Sequence, residues 1–313
     1  MSFDRIGRIG RIGIIGTGRT GSALALALCR AGYDVGPLWS RRPARAQAVA
    51  ARMPGAFPVP CMQAVVDGAD LVILAVPDRA IAEVAGSLRW QPGKAVVHTS
   101  GGTAVAALLS AARDGAVTGG WHPLKSFAGA QDDSDLAGIT FAIESGDAAL
   151  RRALHELTHA LGGLPLTLDA EDRVLYHAAA ALASNGVVAL LAEATALWSA
   201  LGVGREAALR ALLPLVQGTV ANLAAVGLPG ALTGPVERGD MVTVAAHLDA
   251  IHDRAPETVA VYRALNRRAL ALAVEKGGRN EEQLTALSAL LTDRRSCTIV
   301  EGLPRPSGAD GGG

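Results

Sequence analysis

In the segment Arg11-Ile-Gly-Ile-Ile15-Gly16-Thr-Gly18-Arg-Thr-Gly21 of this 313-residue chain, an apolar strand leads through a glycine-rich turn into a helix, which indicates the fold class. Gly16 permits the tight turn, Gly18 lets the backbone approach a pyrophosphate, and Gly21 lets the helix pack close to the strand. The helix N-terminus then faces the phosphates. At the first strand–helix junction of a βαβ unit, this spacing favours dinucleotide binding over a purely structural turn. The predicted cofactor contacts in this turn are Gly16, Thr17, Gly18, Arg19, Thr20 and Gly21.

The end of the second predicted strand indicates which dinucleotide binds. An NAD site carries an acidic residue about twenty residues past the glycine fingerprint, where it holds the ribose 2′-hydroxyl. Here that position reads Ser40-Arg41-Arg42. A hydroxyl and two guanidinium groups would bind a 2′-phosphate through charge-assisted hydrogen bonds, whereas two solvated arginines before a helix are the alternative. Because the acidic residue is missing as well, the sequence predicts NADP(H).

The alternation of short apolar strands with alanine-rich helices predicts an α/β fold in which a doubly wound parallel sheet forms an N-terminal Rossmann domain over residues 1–168. The predicted strands are 11–15, 35–39, 71–76, 95–99, 116–120, 140–144 and 165–168, and the helices between them are 21–31, 44–52, 79–88, 105–113 and 148–161. After residue 168 the strands stop. The sequence then predicts an all-helical domain over residues 169–296 and a disordered tail over 297–313, with Pro214 breaking or kinking a helix at 206–226.

Composition excludes several classes of partner. Lys plus Arg and Asp plus Glu are equal at 29 each, so there is no general attraction to nucleic acid or an acidic membrane. Three cysteines lack metal-ligand spacing, so no metal site is predicted, and a reduced cytoplasmic setting is expected. The most apolar stretch, 178–201, is rich in alanine and carries Ser184, Asn185 and Glu193, which favours a helix buried in a protein interface over a membrane span.

Ligands of an open α/β sheet sit outside the carboxyl ends of its strands, and three motifs fall there. Val76-Pro77 ends the central strand, beside the predicted cofactor. Ser100 lies in His98-Thr-Ser-Gly-Gly102, where a hydroxyl and free N–H groups meet nicotinamide or substrate, or else form a turn. His122 and Lys125 end a further strand. We expect these two side chains to contact substrate, with a structural histidine as the alternative for His122.

Polar residues also interrupt the helical half of the chain. His177, Ser184 and Asn185 share one face of the long apolar helix, where unpaired polar groups would cost desolvation energy. This stripe predicts a site, with a hydrogen-bonded helix contact as the alternative. Farther on, the glycine-rich loop 232–240 carries Arg238 and Asp240. We interpret both as candidate substrate contacts, although Asp240 could simply cap the next helix.

Six motifs give the chain a resemblance to proteins that join a Rossmann-like domain to a DUF2520 C-terminal domain. They are the fingerprint 16–21, Ser40-Arg41, Ala75-Val76-Pro77-Asp78, His122-Pro123, and the pair formed by Tyr176-His177-Ala-Ala-Ala-Ala-Leu-Ala-Ser184-Asn185 and Leu232-Thr-Gly-Pro-Val-Glu-Arg-Gly-Asp240. This group resembles the wider set of 6-phosphogluconate dehydrogenase, pyrroline-5-carboxylate reductase and ketopantoate reductase. The resemblance implies a helical domain that forms a homodimer, and reduction of a 2-oxo acid by NADPH.

The expected activity is therefore reduction of a small 2-oxo acid, with 2-dehydropantoate (ketopantoate) as the most specific candidate and pantothenate biosynthesis as its context. His177 is the first choice for the proton donor, because imidazole titrates near working pH. Asn185 and Ser100 would orient the carbonyl, and Lys125 or Arg238 would hold the carboxylate. Two alternatives remain open: an imine reductase resembling pyrroline-5-carboxylate reductase, and a non-catalytic NADP(H)-binding sensor.

Overall fold

The computed structural model describes residues 9–127, 135–278 and 280–292. The chain divides into two compact units, Met1–Ser184 and Asn185–Gly313. The division falls inside the long helix Arg173–Ser199, whereas the sequence placed the domain boundary after residue 168. The first turns of this helix therefore belong with the sheet. The tail predicted to be disordered, 297–313, lies outside the described residues.

Eight strands form one sheet in the first unit, in the order β3-β2-β1-β4-β5-β6-β7-β8. They are β1 (Ile12–Ile15), β2 (Val35–Trp39), β3 (Phe57–Pro58), β4 (Leu71–Leu74), β5 (Ala95–His98), β6 (Val117–Pro123), β7 (Thr140–Glu144) and β8 (Leu164–Thr167). All neighbouring strands run parallel except β6 and β7, which are antiparallel. The predicted Rossmann-like sheet is thus confirmed, with one reversed pair near its edge.

Two strands differ from the sequence-based expectation. The two-residue β3 was not predicted, because Phe57 and Pro58 are both exposed and leave no apolar run. Strand β6 continues to Pro123 rather than ending at residue 120. The antiparallel neighbour β7 supplies ladder partners for the three added residues, and the pairing of His122 with Ala142 is one of them. His122 therefore lies in a strand and not in the loop that follows it.

Six helices cover the two faces of the sheet. They are α1 (Arg19–Arg30), α2 (Pro43–Ala50), α3 (Met62–Gly68), α4 (Ile81–Gly86), α5 (Leu109–Arg113) and α6 (Ala148–Ala160). Every side chain of β4 is buried. Leu71 and Ile73 pack with α1 and α6, while Val72 and Leu74 pack on the opposite face with α3 and α4. This double coverage explains why the strand reads as a continuous apolar run.

The remaining helices are α7 (Arg173–Ser199), α8 (Arg205–Gly230), α9 (Pro235–Arg238), α10 (Met241–Arg254), α11 (Val259–Lys276) and α12 (Glu281–Thr292). The prediction that Pro214 breaks its helix was wrong, since the non-helical residues of α8 are Gly227 and Leu228. An interior proline removes one hydrogen bond from a long helix. The helix is interrupted instead by the positive φ of 62° at Gly227 and by the extended conformation of Leu228, the residue before Pro229.

The core of the second unit is small and comes from its later helices. Val236, Val244, Leu248, Leu270 and Leu287 are buried in one cluster with Leu291. Helices α7 and α8 are long and apolar enough to cross a membrane by length and composition, a test that core helices of soluble proteins also pass. However, the most apolar 18-residue stretch of each of these helices contains no buried residue. The burial of the long helix that the sequence predicts is therefore absent from the described part of this chain.

Candidate active site at the carboxyl ends of the strands

In the turn between β1 and α1, neighbouring backbone atoms lie close to two of the three glycines and leave space around the third. Gly16 adopts a φ of +104°, and a Cβ there would lie 2.4 Å from the carbonyl oxygen of Ala75. A Cβ on Gly21 would lie 2.0 Å from the carbonyl oxygen of Gly16. Around Gly18, in contrast, a Cβ would meet nothing within 4 Å. The first two glycines let strand, turn and helix touch, and the third leaves an open backbone surface at the helix N-terminus, as dinucleotide binding requires.

The predicted 2′-phosphate contacts lie beside this turn. The N–H of Gly16 donates to the carbonyl oxygen of Trp39 at 2.8 Å, which brings the end of β2 against the turn. Ser40 follows directly, and its hydroxyl accepts a hydrogen bond from the Arg42 N–H at 3.4 Å. Arg41 and Arg42 are exposed. Two free guanidinium groups at this position suit a doubly charged phosphate.

Other predicted cofactor contacts occupy the rim of the turn. Thr17 is buried, and no described residue bonds its hydroxyl oxygen. The Val76 side chain packs beside Gly16, where a Cβ would lie 3.2 Å from Val76 Cγ1. Pro77 precedes a short 3₁₀ turn at Asp78–Ala80. Arg19 is the first residue of α1, and it donates to the carbonyl oxygen of Phe127 at 2.9 Å, so this guanidinium also ties the turn to the segment after β6.

Three aromatic side chains meet where β6 and the start of α7 come together. His122 Nδ1 lies 2.8 Å from the Tyr176 hydroxyl, with the two rings edge to face. The rings of His122 and His177 are also edge to face, 6.4 Å between centroids. His122 is partly buried in the strand, whereas His177 is exposed. The structure thus brings together His122 and His177, both predicted as site residues from separate motifs.

The backbone of Gly101 and Gly102, which carries no side chains, lies against these rings. A Cβ on Gly101 would be 2.8 Å from His122 Cε1 and 3.0 Å from its Nε2. A Cβ on Gly102 would be 2.8 Å from His177 Nδ1. Only glycine fits beneath both imidazoles. Since no described residue accepts a hydrogen bond from the Gly101 or Gly102 N–H, two donors remain for a ligand at this point.

A buried arginine lies next to this group. Arg173, the first residue of α7, is 1% exposed and forms an ion pair with Glu144 at the end of β7. Its Nη1 donates to the Ser100 carbonyl oxygen at 2.9 Å and approaches that of Gly101 at 3.5 Å. A Cβ on Gly120 would lie 2.4 Å from its Nη2. The guanidinium thus links α7 to the loop after β5 and to two neighbouring strands.

Burial and these charges keep the histidines neutral. Burial lowers the pKa of His122 to about 4, and the neighbouring His177 and Arg173 add to this effect, while Asp78 opposes it. Burial likewise lowers the pKa of His98 to about 4, again with a contribution from Arg173. Burial raises the pKa of Tyr176 to about 12, so its hydroxyl stays protonated. At neutral pH, His98 and His122 are therefore uncharged and Tyr176 keeps its proton, beside the ion pair of Arg173 with Glu144.

Ser100 and Lys125 have other contacts than those expected. The Ser100 hydroxyl donates to Thr103 Oγ1 at 2.9 Å and accepts from the Thr103 N–H at 3.0 Å, which favours the turn that was the alternative for this residue. Lys125 Nζ donates to the Asp135 carbonyl oxygen at 3.0 Å and lies over the Phe127 ring. These contacts account for both side chains without a ligand.

The remaining predicted site residues lie on helices α7 to α10. Ser184 and Asn185 are exposed on α7, so neither carries the desolvation cost that motivated its prediction. Arg238 is exposed at the end of α9. Asp240 caps α10, because its carboxylate accepts from the Thr243 N–H at 3.0 Å and from the Thr243 hydroxyl. The capping role that the sequence left open for Asp240 is therefore present.

Sequence reasoning did not single out four side chains of this candidate site: Tyr176, Arg173, Glu144 and His98. A signal existed for Tyr176 and Arg173, because they share one helix face with His177 at the i, i+3 and i+4 spacing. Glu144 closes an apolar strand, where a buried carboxylate requires a partner. Nothing in the sequence pairs it with Arg173. No group of three or more potential metal ligands occurs among the described parts of the chain.

The sheet order, the glycine turn and the helical second unit define a Rossmann-type nucleotide-binding protein. Residues 5–123 match the family model of a Rossmann-like domain, and residues 139–269 match that of a domain of unknown function, DUF2520. The chain belongs to the proteins that join these two domains, as its motifs predicted.

Solved structures share this fold. Protein TM1727 from Thermotoga maritima is similar over 85% of this chain and 99% of its own, with a TM-score of 0.69 and 24% identity. A reductive aminase from Aspergillus terreus, in complex with NADPH and ethyl levulinate, covers 90% of this chain and 99% of its own at a TM-score of 0.59 and 20% identity. An imine reductase from Pseudomonas sp. covers 90% and 100% at 0.58 and 22%. A comparison with curated protein sequences gave no significant match.

The neutral histidines predict destabilisation by acid. In the folded protein His98 and His122 titrate near 4, against 6.5 for an unperturbed imidazole. As pH falls below 6.5 the unfolded chain binds protons that the folded chain does not, so the free energy of unfolding falls until about pH 4. At 1.36 kcal/mol per pKa unit, the loss is about 3 kcal/mol for each histidine.

Urea unfolding between pH 7.5 and 4.5 measures this loss. His122→Gln should flatten the dependence of the unfolding free energy on pH, whereas His252→Gln, at an exposed position on α10, serves as the matched control and should not. An unchanged slope in the His122 variant would contradict the prediction.

Proposed function

We propose that this protein is an NADPH-dependent oxidoreductase that reduces a small 2-oxo acid, with 2-dehydropantoate as the most specific candidate. The observation that supports it most directly is the pair of imidazoles, His122 and His177, over the side-chain-free backbone of Gly101–Gly102. This group lies at the same edge of the sheet as the glycine turn, where an open α/β sheet binds its ligands.

NADP(H) fits the residues present. The open backbone at Gly18 and the unpaired first-turn N–H groups of α1 suit a pyrophosphate, and Arg41 with Arg42 suits a 2′-phosphate. Support also comes from the reductive aminase of the same fold, whose structure contains NADPH. When bound, NADPH supplies a hydride to the carbonyl carbon. The protein's own residues then have to orient the substrate and deliver one proton to the carbonyl oxygen.

His177 is the proposed proton donor. Its ring is exposed above Gly102, so it can regain a proton from solvent after each turnover. His122 is a poor source of a proton as an imidazolium, because its pKa is lowered to about 4. We assign it a positioning hydrogen bond instead. We assign the tautomer in which the Tyr176 hydroxyl donates to Nδ1 and the proton of the ring is on Nε2, at the edge that faces Gly101.

A proton donor in the site suits a carbonyl substrate better than an imine. An iminium ion reaches the enzyme already protonated and gains little from a general acid, whereas a ketone requires one. The imine reductase and the reductive aminase of similar fold support imine reduction as the second candidate. A cofactor sensor is the third. An assay of NADPH oxidation with a panel of 2-oxo acids and cyclic imines separates them, since the sensor would bind NADPH and oxidise it with neither class.

The cofactor preference is the first prediction of this proposal. NADPH should bind much more tightly than NADH, and Arg41→Ala combined with Arg42→Ala should remove the preference at a cost of about 1.5–3 kcal/mol, the range for hydrogen bonds to charged groups. Calorimetry with both cofactors measures it. Arg45→Ala, at an exposed position one turn into α2, is the matched control. Equal affinity of the native protein for the two cofactors would refute the assignment.

The proton donor gives the second prediction. His177→Gln should lower turnover about 10²–10⁴-fold with little change in NADPH affinity, because general acid catalysis acts only in the transition state. The native rate should fall as pH rises through the pKa of the donor, since only the protonated imidazole can donate. Tyr176→Phe and His122→Gln, made in parallel, test the buried pair. Near-native turnover in the His177 variant with a large loss in the other two would transfer the donor role to that pair.

We also propose a cytoplasmic homodimer that covers α7 and α8. Leu175 and Leu182 on α7 are 74% and 75% exposed, and Leu215 and Val226 on α8 are 67% and 62% exposed. Apolar surface on this scale marks an interface, and alanine-rich helices allow close approach. The free thiols of Cys29 and Cys61 are compatible with the reduced compartment.

The dimer gives the third prediction. Sedimentation at micromolar concentration should show two chains per particle. Leu182→Glu should shift the particle towards monomer, because a buried carboxylate without a partner is costly. Leu164→Glu, at an exposed position of β8, is the control. A native monomer would overturn the proposal, and flotation with lipid vesicles would show that the apolar helices bind a membrane instead.

A further inference from the structure

We propose that Arg173 is the positioning residue of this site: it fixes the first turn of α7 on the strand ends, and so sets Tyr176, His177 and the Gly101–Gly102 backbone in place. This inference rests on the proposed function for its catalytic consequence. Its structural part does not, because the contacts of Arg173 can be tested without any substrate.

The register of the sheet creates the space that the Arg173 guanidinium occupies. His98, Gly120 and Glu144 are ladder partners on three adjacent strands, so they form one row across the sheet. The middle residue has no side chain, and Arg173 Nη2 occupies the space where its Cβ would stand. Glu144 at one end of the row takes the Nε donor. The row therefore accommodates one guanidinium, in one orientation.

The guanidinium also orients two peptide groups. Its Nη1 approaches the carbonyl oxygens of Ser100 at 2.9 Å and Gly101 at 3.5 Å. In a planar trans peptide the N–H points opposite to the C=O. The N–H groups of Gly101 and Gly102 belong to these same two peptides, so both point away from Arg173. They are successive free donors, an arrangement that binds anionic oxygen atoms.

Helix α7 connects the position of Arg173 to the positions of Tyr176 and His177. Tyr176 and His177 follow Arg173 by three and four residues, which places all three on one face of α7. Anchoring Arg173 therefore sets both the depth and the rotation of this turn. The Tyr176 hydroxyl then reaches His122 Nδ1, and the His177 ring lies over Gly102. Displacement of a positioned group by about 1 Å can cost about 10²-fold in rate.

Stability alone is a weak reason to bury this ion pair. Replacement of a buried ion pair by apolar residues of similar volume is often neutral or stabilising, because two charges no longer have to be desolvated. Among the described residues nothing accepts from Arg173 Nη2, so the pair is not even fully satisfied. Its geometry and charge therefore require another explanation, and the position of the site residues supplies one.

The charge of Arg173 acts on His122 as well. The titratable groups that face His122 are His177 and Tyr176 from α7, Arg173 at the start of the same helix, Asp78 after β4, and His98 on β5. Burial is the largest cause of the low pKa of His122; His177 and then Arg173 lower it further, and Asp78 raises it. Loss of the guanidinium should therefore raise the pKa of His122 above about 4, while burial keeps it below its ordinary value.

Three variants separate position from charge. Arg173→Lys keeps the charge but loses the planar fork. Arg173→Met combined with Glu144→Met removes both charges and leaves no unpaired carboxylate, so it is the variant expected to fold. Arg151→Met is the matched control, because Arg151 on α6 donates to the carbonyl oxygen of Ser145, the residue after Glu144. Histidine NMR on the full chain, with His122→Gln for assignment, follows the titration of His122 and the contact between its ring and Tyr176.

In the double variant we expect the His122 pKa to rise from about 4, the ring contact with Tyr176 to weaken, and turnover to fall about 10²-fold. In Arg173→Lys we expect a similar loss of contact and turnover with a low His122 pKa. Arg151→Met should change none of these. A folded double variant with native His122 titration and a native contact would overturn the inference. If no substrate is found, the NMR measurements still decide it, so its failure is distinct from failure of the proposed function.

Discussion

Burial of one positive charge is the constraint on which the arrangement of the strand ends depends. A guanidinium that is 1% exposed must be paired and hydrogen-bonded, or its desolvation would not be compensated. Glu144 from β7 accepts from Nε and the Ser100 carbonyl oxygen accepts from Nη1, while the missing side chain at Gly120 leaves space for Nη2, for which the described residues supply no acceptor. The reversed pair β6–β7 brings Glu144 into this position, since it aligns Glu144 with Gly120. The one departure from a parallel sheet is thus linked to the site.

Backbone without side chains lines the proposed site in two places. At Gly16 and Gly21 it lets the first strand and helix touch, which leaves the helix N-terminus open around Gly18. At Gly101 and Gly102 it lets the imidazoles of His122 and His177 lie against the loop after β5. The two places lie at the same edge of the sheet, after β1 and β5. Under the proposed function, the first would hold the phosphates of the cofactor and the second a substrate oxygen.

The sequence was sufficient for the sheet because each strand carries its own signal. Runs such as 71–74 are apolar throughout, and the fingerprint 16–21 identifies the first junction. The exposed pair Phe57–Pro58 carries no such signal and was missed. For the candidate site, the sequence predicted His122 and His177, which the structure brings together, but not the contact between His122 and Tyr176. That contact, like the pairing of Arg173 with Glu144, joins residues far apart in the chain, and only the register of β6 with β7 and the start of α7 brings them together. The roles predicted for Ser100 and Lys125 assumed free side chains, whereas in the structure both side chains have local hydrogen-bond partners.

The electrostatics of the cluster bear on the choice between carbonyl and imine. His98 and His122 both have a pKa lowered to about 4, mainly by burial, and the charge of Arg173 adds to both shifts although that residue is paired with Glu144. The same burial and charge disfavour a cationic ligand beside these two imidazoles. Under the proposed function, reduction of a carbonyl develops negative charge on oxygen, where the Gly101 and Gly102 N–H donors and the Arg173 guanidinium would stabilise it. An iminium at this point would bring positive charge close to Arg173, so these residues support the proposal of a 2-oxo acid over an imine.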